Sequence, residues 1–173
     1  MKKLNYTLLL ICGLCGIVNA QAPLGKPVPS ADIKTLDGKN INTSTFSNNG
    51  KPIIISFWAT WCKPCKKELD AIAEQYEEWV AQTGVKLIAV SIDDSRSALK
   101  VGGEVKSKDW KFDIYIDENQ DFKRAMSVNS IPYTFILDGR GNIVWQHNSY
   151  AEGDEANIYE IIKKLASGEK LNE

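Results

Sequence analysis

The chain has 173 residues, 21 of them basic and 22 acidic, for a formal net charge of −1, and 43% are hydrophobic. That balance excludes the basic footprint of a nucleic-acid binder and the polybasic patch of a membrane-surface protein, while the length suits one domain with a real core. Four cysteines and a single histidine, His147, bound the chemistry.

Lys2 and Lys3 form a positive start, residues 8–18 are an eleven-residue apolar run, and Val18-Asn19-Ala20 puts small residues where a signal peptidase reads. The run is shorter than the ~20 apolar residues of a spanning helix. Residues 1–20 therefore read as a signal peptide cleaved after Ala20, with an uncleaved membrane anchor as the alternative. A lipoprotein signal would want a small residue before Cys12 or Cys15, and Ile11 and Leu14 stand there. Removing Lys2 and Lys3 takes the basic count to 19 against 22 acids, a net charge near −3 on about 153 residues. Cys12 and Cys15 leave with the leader. An exported chain lives where disulfides persist, and Cys62 and Cys65 are the one pair left to form a bond.

Residues 21–30, rich in Pro and Gly, read as a linker or N-terminal arm, and 31–168 as a single domain with a short tail at 169–173. Asp37-Gly38 between two extended runs signals a hairpin. Residues 52–58 form a continuous apolar, β-branched run, as expected of a strand covered on both faces. From Pro64 the period changes: Cys65, Leu69, Ile72, Ala73, Tyr76 and Val80 recur at helical spacing, which predicts one helix running to Gly84. Residues 85–92 predict a second buried strand, followed by a helix from about Ser95, a strand over 112–116 and a short helix from Asp121. Residues 133–138 and 142–147 pair across the Gly139-Arg140-Gly141 turn. Ile158, Ile161, Ile162 and Leu165 form one face of a closing helix that stops at Gly168. The fold class is α/β: a mixed central sheet flanked by helices, with an N-terminal hairpin and a central βα insertion.

Cys62 falls where a buried strand ends and a helix begins, so unpaired backbone N–H groups and the helix dipole favour its thiolate. Pro64 suits the first helical turn, and Cys65, one turn in, can close a disulfide with Cys62. This makes Cys62 the exposed, attacking thiol and Cys65 the buried, resolving one. A structural zinc site wants four ligands, and the chain without its leader has three Cys and His residues in all. Haem attachment would need a histidine where Lys66 stands. A structural bond closing so short a loop removes little unfolded-state entropy.

The stretch FWATWCKPC, residues 57–65, resembles the active-site signature of the thioredoxin superfamily. Ala59-Thr60-Trp61, the leader and the later IPYTFILD resemble its TlpA/ResA branch of extracytoplasmic thiol–disulfide oxidoreductases, over about residues 27–166. The resemblance implies that Pro132 is cis, faces the dithiol and exposes the backbone before it to substrate, so Ile131 and Pro132 join the site. It also implies a functional acid at Glu68; read alone, Glu68 is a surface carboxylate without a helical ion-pair partner at i±4. Trp61 precedes the dithiol, Lys63 and Pro64 lie between its two cysteines, and all three are expected to meet substrate. There are two departures from the family. Ser56 stands where thioredoxin has a buried aspartate, and Asp70 stands where a proline often kinks the helix, which predicts a straighter one. Trp58 is expected to pack under the dithiol, Trp79, Trp110 and Trp145 to serve packing, and His147 to be a surface histidine.

The expected activity is reduction of disulfides in other exported proteins by Cys62 and Cys65, in the periplasm, with no metal and no cofactor beyond that redox-active disulfide. No Gly-rich nucleotide fingerprint is present, so electrons must come from a partner, by resemblance a membrane thiol reductase of the DsbD/CcdA kind. The alternatives are a disulfide oxidase or isomerase and, less favoured by the C-x-x-C pair, a thiol peroxidase. A copper carrier would want wider cysteine spacing, and a binding module would carry an idle disulfide.

Overall fold

The structure is a computed structural model and describes residues 24–169 and 171. The leader expected over residues 1–20, with the cleavage expected after Ala20 and with Cys12 and Cys15, lies outside the described residues. Seven strands form one mixed sheet: β1 (Asp32–Thr35), β2 (Asn40–Asn42), β3 (Ile53–Trp58), β4 (Lys86–Ser91), β5 (Asp113–Ile116), β6 (Tyr133–Leu137) and β7 (Ile143–Asn148), in the order β2-β1-β5-β4-β3-β6-β7. β3, β4 and β5 are parallel, and β1 and β6 join them antiparallel. Every residue of β3 is buried, as its unbroken apolar run predicts for a strand covered on both faces.

The helices are α1 (Lys63–Ala73), α2 (Tyr76–Thr83), α3 (Ala98–Lys108), α4 (Asp121–Ala125) and α5 (Asp154–Ala166). The steps β3 to β4 and β4 to β5 run the same way across the sheet, so right-handed crossovers put α1 and α3 on one face. Lys66–Glu104 at 3.2 Å and Lys108–Asp70 at 2.6 Å tie those two helices together. α4 belongs to the return step and covers the other face, where Phe122 meets Phe57 at 5.2 Å. Strand alternation then sends Ser56 and Trp58 toward α1.

Two expectations are corrected. The single helix to Gly84 is broken at Glu74–Gln75, where Gln75 adopts φ −117° and ψ −1°. The break rotates the apolar stripe, burying Trp79 and leaving Val80 40% exposed. Trp79 stacks on Tyr159 of α5 at 5.1 Å and Tyr76 sets its edge against Phe112, so two aromatic contacts decide the boundary. α1 itself runs through Asp70 without interruption. The helix expected from Ser95 begins at Ala98, because the Asp94 carboxylate accepts the N–H groups of Arg96 and Ser97 and holds 95–97 as a turn.

Gly139 packs so closely that a Cβ there would lie 2.0 Å from the Gly50 carbonyl oxygen, which is backbone and cannot swing away. Gly139→Ala is expected to cost about 1–3 kcal/mol in urea unfolding. Gly102→Ala, inside α3 with open space around it, should instead gain up to ~1 kcal/mol.

Candidate active site

β3 delivers the chain to the dithiol. After Trp58, residues 59–62 form a turn closed by Cys62 N–H donating to the Ala59 carbonyl at 3.0 Å. Cys62 is the N-cap of α1, with extended backbone (φ −88°, ψ 99°), and Pro64 occupies the first turn, where its missing N–H has no helical acceptor to lose. The Cys65 N–H donates to Cys62 Sγ at 3.3 Å, so that sulfur takes the place a capping oxygen would take. The two sulfurs are bonded, with the Cα atoms 5.4 Å apart.

Cys62 is 5% exposed and Cys65 fully buried. The order of exposure is as expected, but Cys62 is not an exposed residue. Packing against the buried end of β3 leaves only a small part of it open. What stands out in solvent is its surroundings: Trp61 is 65% exposed, and Lys63 and Pro64 are exposed as well.

Across the sheet, Tyr133 lies opposite Phe57, so the register carries Pro132 alongside Trp58 at the same end of the sheet as the dithiol. Pro132 is buried, the Ile131–Pro132 bond is cis, and the Pro132 carbonyl accepts from the Ser149 N–H at 2.9 Å. Among the described residues, neither the N–H nor the C=O of Ile131 has a partner.

Glu68 is not a surface carboxylate. It sits one turn beyond Cys65 and is 1% exposed. Its Oε2 accepts from Ser56 Oγ at 3.1 Å and its Oε1 from Thr134 Oγ1 at 2.7 Å. Burial pushes its carboxyl up to about 7 against the pull of those two hydrogen bonds, and the acids Asp154 and Glu155 push the same way. Thr134 was not singled out in the sequence and Ser56 only as a departure from the family, yet a signal for both as partners was there. Ser56 and Thr134 each interrupt an otherwise apolar buried strand, and a buried hydroxyl must find a partner.

Trp58 is fully buried with its edge on Trp110 at 5.0 Å, and Trp110 Nε1 donates to Asp70 at 3.1 Å. Asp70, in the place of the family's frequent proline, thus ties α1 to Lys108 at the end of α3 and to Trp110 just beyond it. His147, opposite Thr134 on β7, is partly exposed, stacked on Trp145 and 3.5 Å from Asp154. Among the described residues no cluster of three His, Cys, Asp or Glu side chains is placed to hold a metal.

A dithiol at the start of a helix, at the end of a central strand in a mixed sheet, defines the thioredoxin-like class of fold and site. The chain belongs to the AhpC/TSA family, whose model matches residues 24–146. It is similar to the thiol–disulfide oxidoreductase ResA of Bacillus thuringiensis subsp. konkukian, 31% identical over 166 residues that span 91% of this chain and 92% of that protein. ResA of Bacillus subtilis is 33% identical, over 82% of this chain and 80% of its own length. The solution structure of an uncharacterized thioredoxin-like protein from Porphyromonas gingivalis is 46% identical, with a TM-score of 0.73 over 86% of this chain and 95% of that one. A putative thiol:disulfide interchange protein DsbE from Chlorobium tepidum shares the fold at 20% identity, with a TM-score of 0.73 over 84% of this chain and 99% of that one. The chain is a thioredoxin-type thiol–disulfide oxidoreductase.

Proposed function

We propose that this protein is an exported reductant of protein disulfides. The observation that carries the reading is the position of Cys62 Sγ, at the N-cap of α1 and accepting the Cys65 N–H, with the buried Glu68 carboxyl one turn further on. The Cys62 thiolate attacks a substrate disulfide, forming a mixed disulfide and releasing the first substrate sulfur as a thiolate that takes a proton. Glu68 receives the Cys65 proton. Cys65 then attacks Cys62 Sγ, closing the Cys62–Cys65 bond and releasing the second substrate sulfur. Two electrons pass from the dithiol to the substrate. Trp61, Lys63 and Pro64 form the exposed rim, and the free backbone of Ile131, before Pro132, pairs with the substrate as an added strand.

Residues 1–20 export the chain to the periplasm, with cleavage after Ala20, and residues 31–168 act as one domain. No helix among the described residues is long and apolar enough to cross a membrane. The substrates are disulfide-containing exported proteins, and a membrane thiol reductase of the DsbD/CcdA kind returns the electrons. The redox-active disulfide is the only cofactor.

The reduction potential tests the direction. Thioredoxin sits near about −270 mV and the oxidant DsbA near about −120 mV, because reduced DsbA is strongly stabilised. Lys63 favours the Cys62 thiolate and pushes toward the oxidant, but a single solvent-facing charge is worth roughly 1.4 kcal/mol, or about 30 mV for a two-electron couple. A Glu68 carboxylate pulls the other way. Equilibration against glutathione, read by alkylation, is expected to give a value below about −200 mV. A value above about −160 mV would hand the protein to the oxidase or isomerase reading.

A further inference from the structure

Asp93 lies just past the end of β4, beyond the hydrogen bond from the Ile92 N–H to the Trp58 carbonyl at 2.9 Å. It is fully buried. Its Oδ2 accepts from the Thr60 N–H at 2.8 Å and from Ser91 Oγ at 2.7 Å, and its Oδ1 accepts from Thr60 Oγ1 at 2.6 Å. Ser91 Oγ in turn accepts the Asp93 N–H at 3.1 Å. Among the described residues all of these partners are uncharged, so the carboxylate has been taken out of water with only neutral donors to compensate. A turn needs no such group merely to close. The Ala59–Cys62 hydrogen bond already closes this one, and Thr60 and Trp61 are its central residues.

We propose that Asp93 is a positioning residue for disulfide exchange: by gripping both the N–H and the hydroxyl of Thr60, it anchors to β4 the turn that presents Trp61 and Cys62. The inference rests on the reading of Cys62 as the attacking thiol. Cys62 must keep its sulfur at the start of α1 while it passes from the internal disulfide to a bond with a partner, and a partner engaged at Trp61 pulls on the same turn. Two short hydrogen bonds to one buried side chain, at 2.8 and 2.6 Å, hold Thr60 against that pull. Two bonds from one residue also stop Thr60 from rotating about either of them. The clamp acts on geometry and touches neither sulfur nor substrate. Its loss should appear in the exchange rate of folded protein, because small misplacements of a reacting atom are expensive.

Asn at this position can keep every contact. Its Oδ1 accepts from the Thr60 N–H and Ser91, and its amide donates to a rotated Thr60 hydroxyl. Ala keeps none of the side-chain contacts, and Thr60→Val removes only the hydroxyl contact from the loop side, in case Asp93→Ala does not fold. Reduced full-length proteins would be mixed with a small aromatic disulfide near neutral pH and followed by stopped flow, with unfolding midpoints measured in parallel. Asp93→Ala is expected to slow exchange at Cys62 by about tenfold or more, Thr60→Val by a smaller factor, and Asp93→Asn to restore the rate to within about threefold. A folded Asp93→Ala, or a folded Thr60→Val if the former is insoluble, that exchanges at the wild-type rate with only a lower midpoint would overturn the proposal. An Asp93→Asn protein as slow as the alanine variant would also overturn it, since charge rather than the held geometry would then be responsible. Wild-type protein that reacts first through Cys65 would defeat the underlying reading of Cys62, and that outcome is visible without any Asp93 variant.

Discussion

Cys62→Ser is expected to abolish disulfide exchange, by at least about a thousandfold, while Cys65→Ala accumulates mixed disulfides through Cys62. The two outcomes follow from where each sulfur sits. The attacking species is a thiolate, and a serine hydroxyl cannot take its place because it stays protonated at neutral pH. Cys62 Sγ lies at the N-cap, where it accepts the Cys65 N–H and meets the positive end of the α1 dipole. Cys65 lies within the first turn, fully buried, and reaches a partner only through Cys62. With Cys65 gone, the first step proceeds and the second has no nucleophile. Mass spectrometry of covalent adducts formed with a disulfide-bonded substrate would check both variants. Alkylation of the reduced wild type near neutral pH should label Cys62 first, and faster labelling of Cys65 would reverse the roles.

Much of this site was legible because its chemistry is local. Cys62, Pro64 and Cys65 lie within one turn, and the apolar run before them and the helical period after them locate that turn at the end of a buried strand. The doubly covered strands β3 and β4 were legible for the same reason, their β-branched runs being too apolar for an exposed face. The break at Glu74–Gln75 was not legible, because it follows from seating Trp79 on Tyr159 across 80 residues of chain, and periodicity carries no account of that contact. The shielding of Cys62 and the burial of Glu68 are likewise tertiary. On the helix alone Glu68 is an acid one turn from a cysteine, and only the register of β3 against β6, which sets Ser56 opposite Thr134, makes a buried hydroxyl pair for it. The Asp93 clamp joins residues 33 positions apart, and its trace in the sequence is faint: a serine and an aspartate closing a strand that is otherwise apolar.

Glu68→Gln is expected to change both the pH dependence of stability and that of exchange. The Glu68 carboxyl has a folded value of about 7 against an ordinary value of 4.5, because burial disfavours its charged form. A carboxyl whose value is raised on folding contributes stability that is fully present below the ordinary value and is lost as pH rises through the folded one. A gap of about 2.5 pH units at ~1.4 kcal/mol each makes the loss about 3 kcal/mol between pH 4 and pH 8. Glutamine does not titrate, and its amide can donate to one of the two hydroxyls while its oxygen accepts from the other. The difference in unfolding free energy between variant and wild type should therefore move by about 3 kcal/mol in the variant's favour over that range, the other groups cancelling in the comparison. Exchange should move the opposite way. A carboxyl that ionises near neutral pH is well matched to taking the Cys65 proton, and its loss should slow resolution of the mixed disulfide by roughly a hundredfold near pH 7 and flatten its pH profile. Urea unfolding of the oxidised proteins at a series of pH values checks the first effect, and single-turnover resolution of a preformed Cys62 mixed disulfide checks the second. If the resolution profiles of wild type and variant superimpose while the stability difference still moves with pH, Glu68 is a buried acid beside the dithiol that takes no part in its proton transfer.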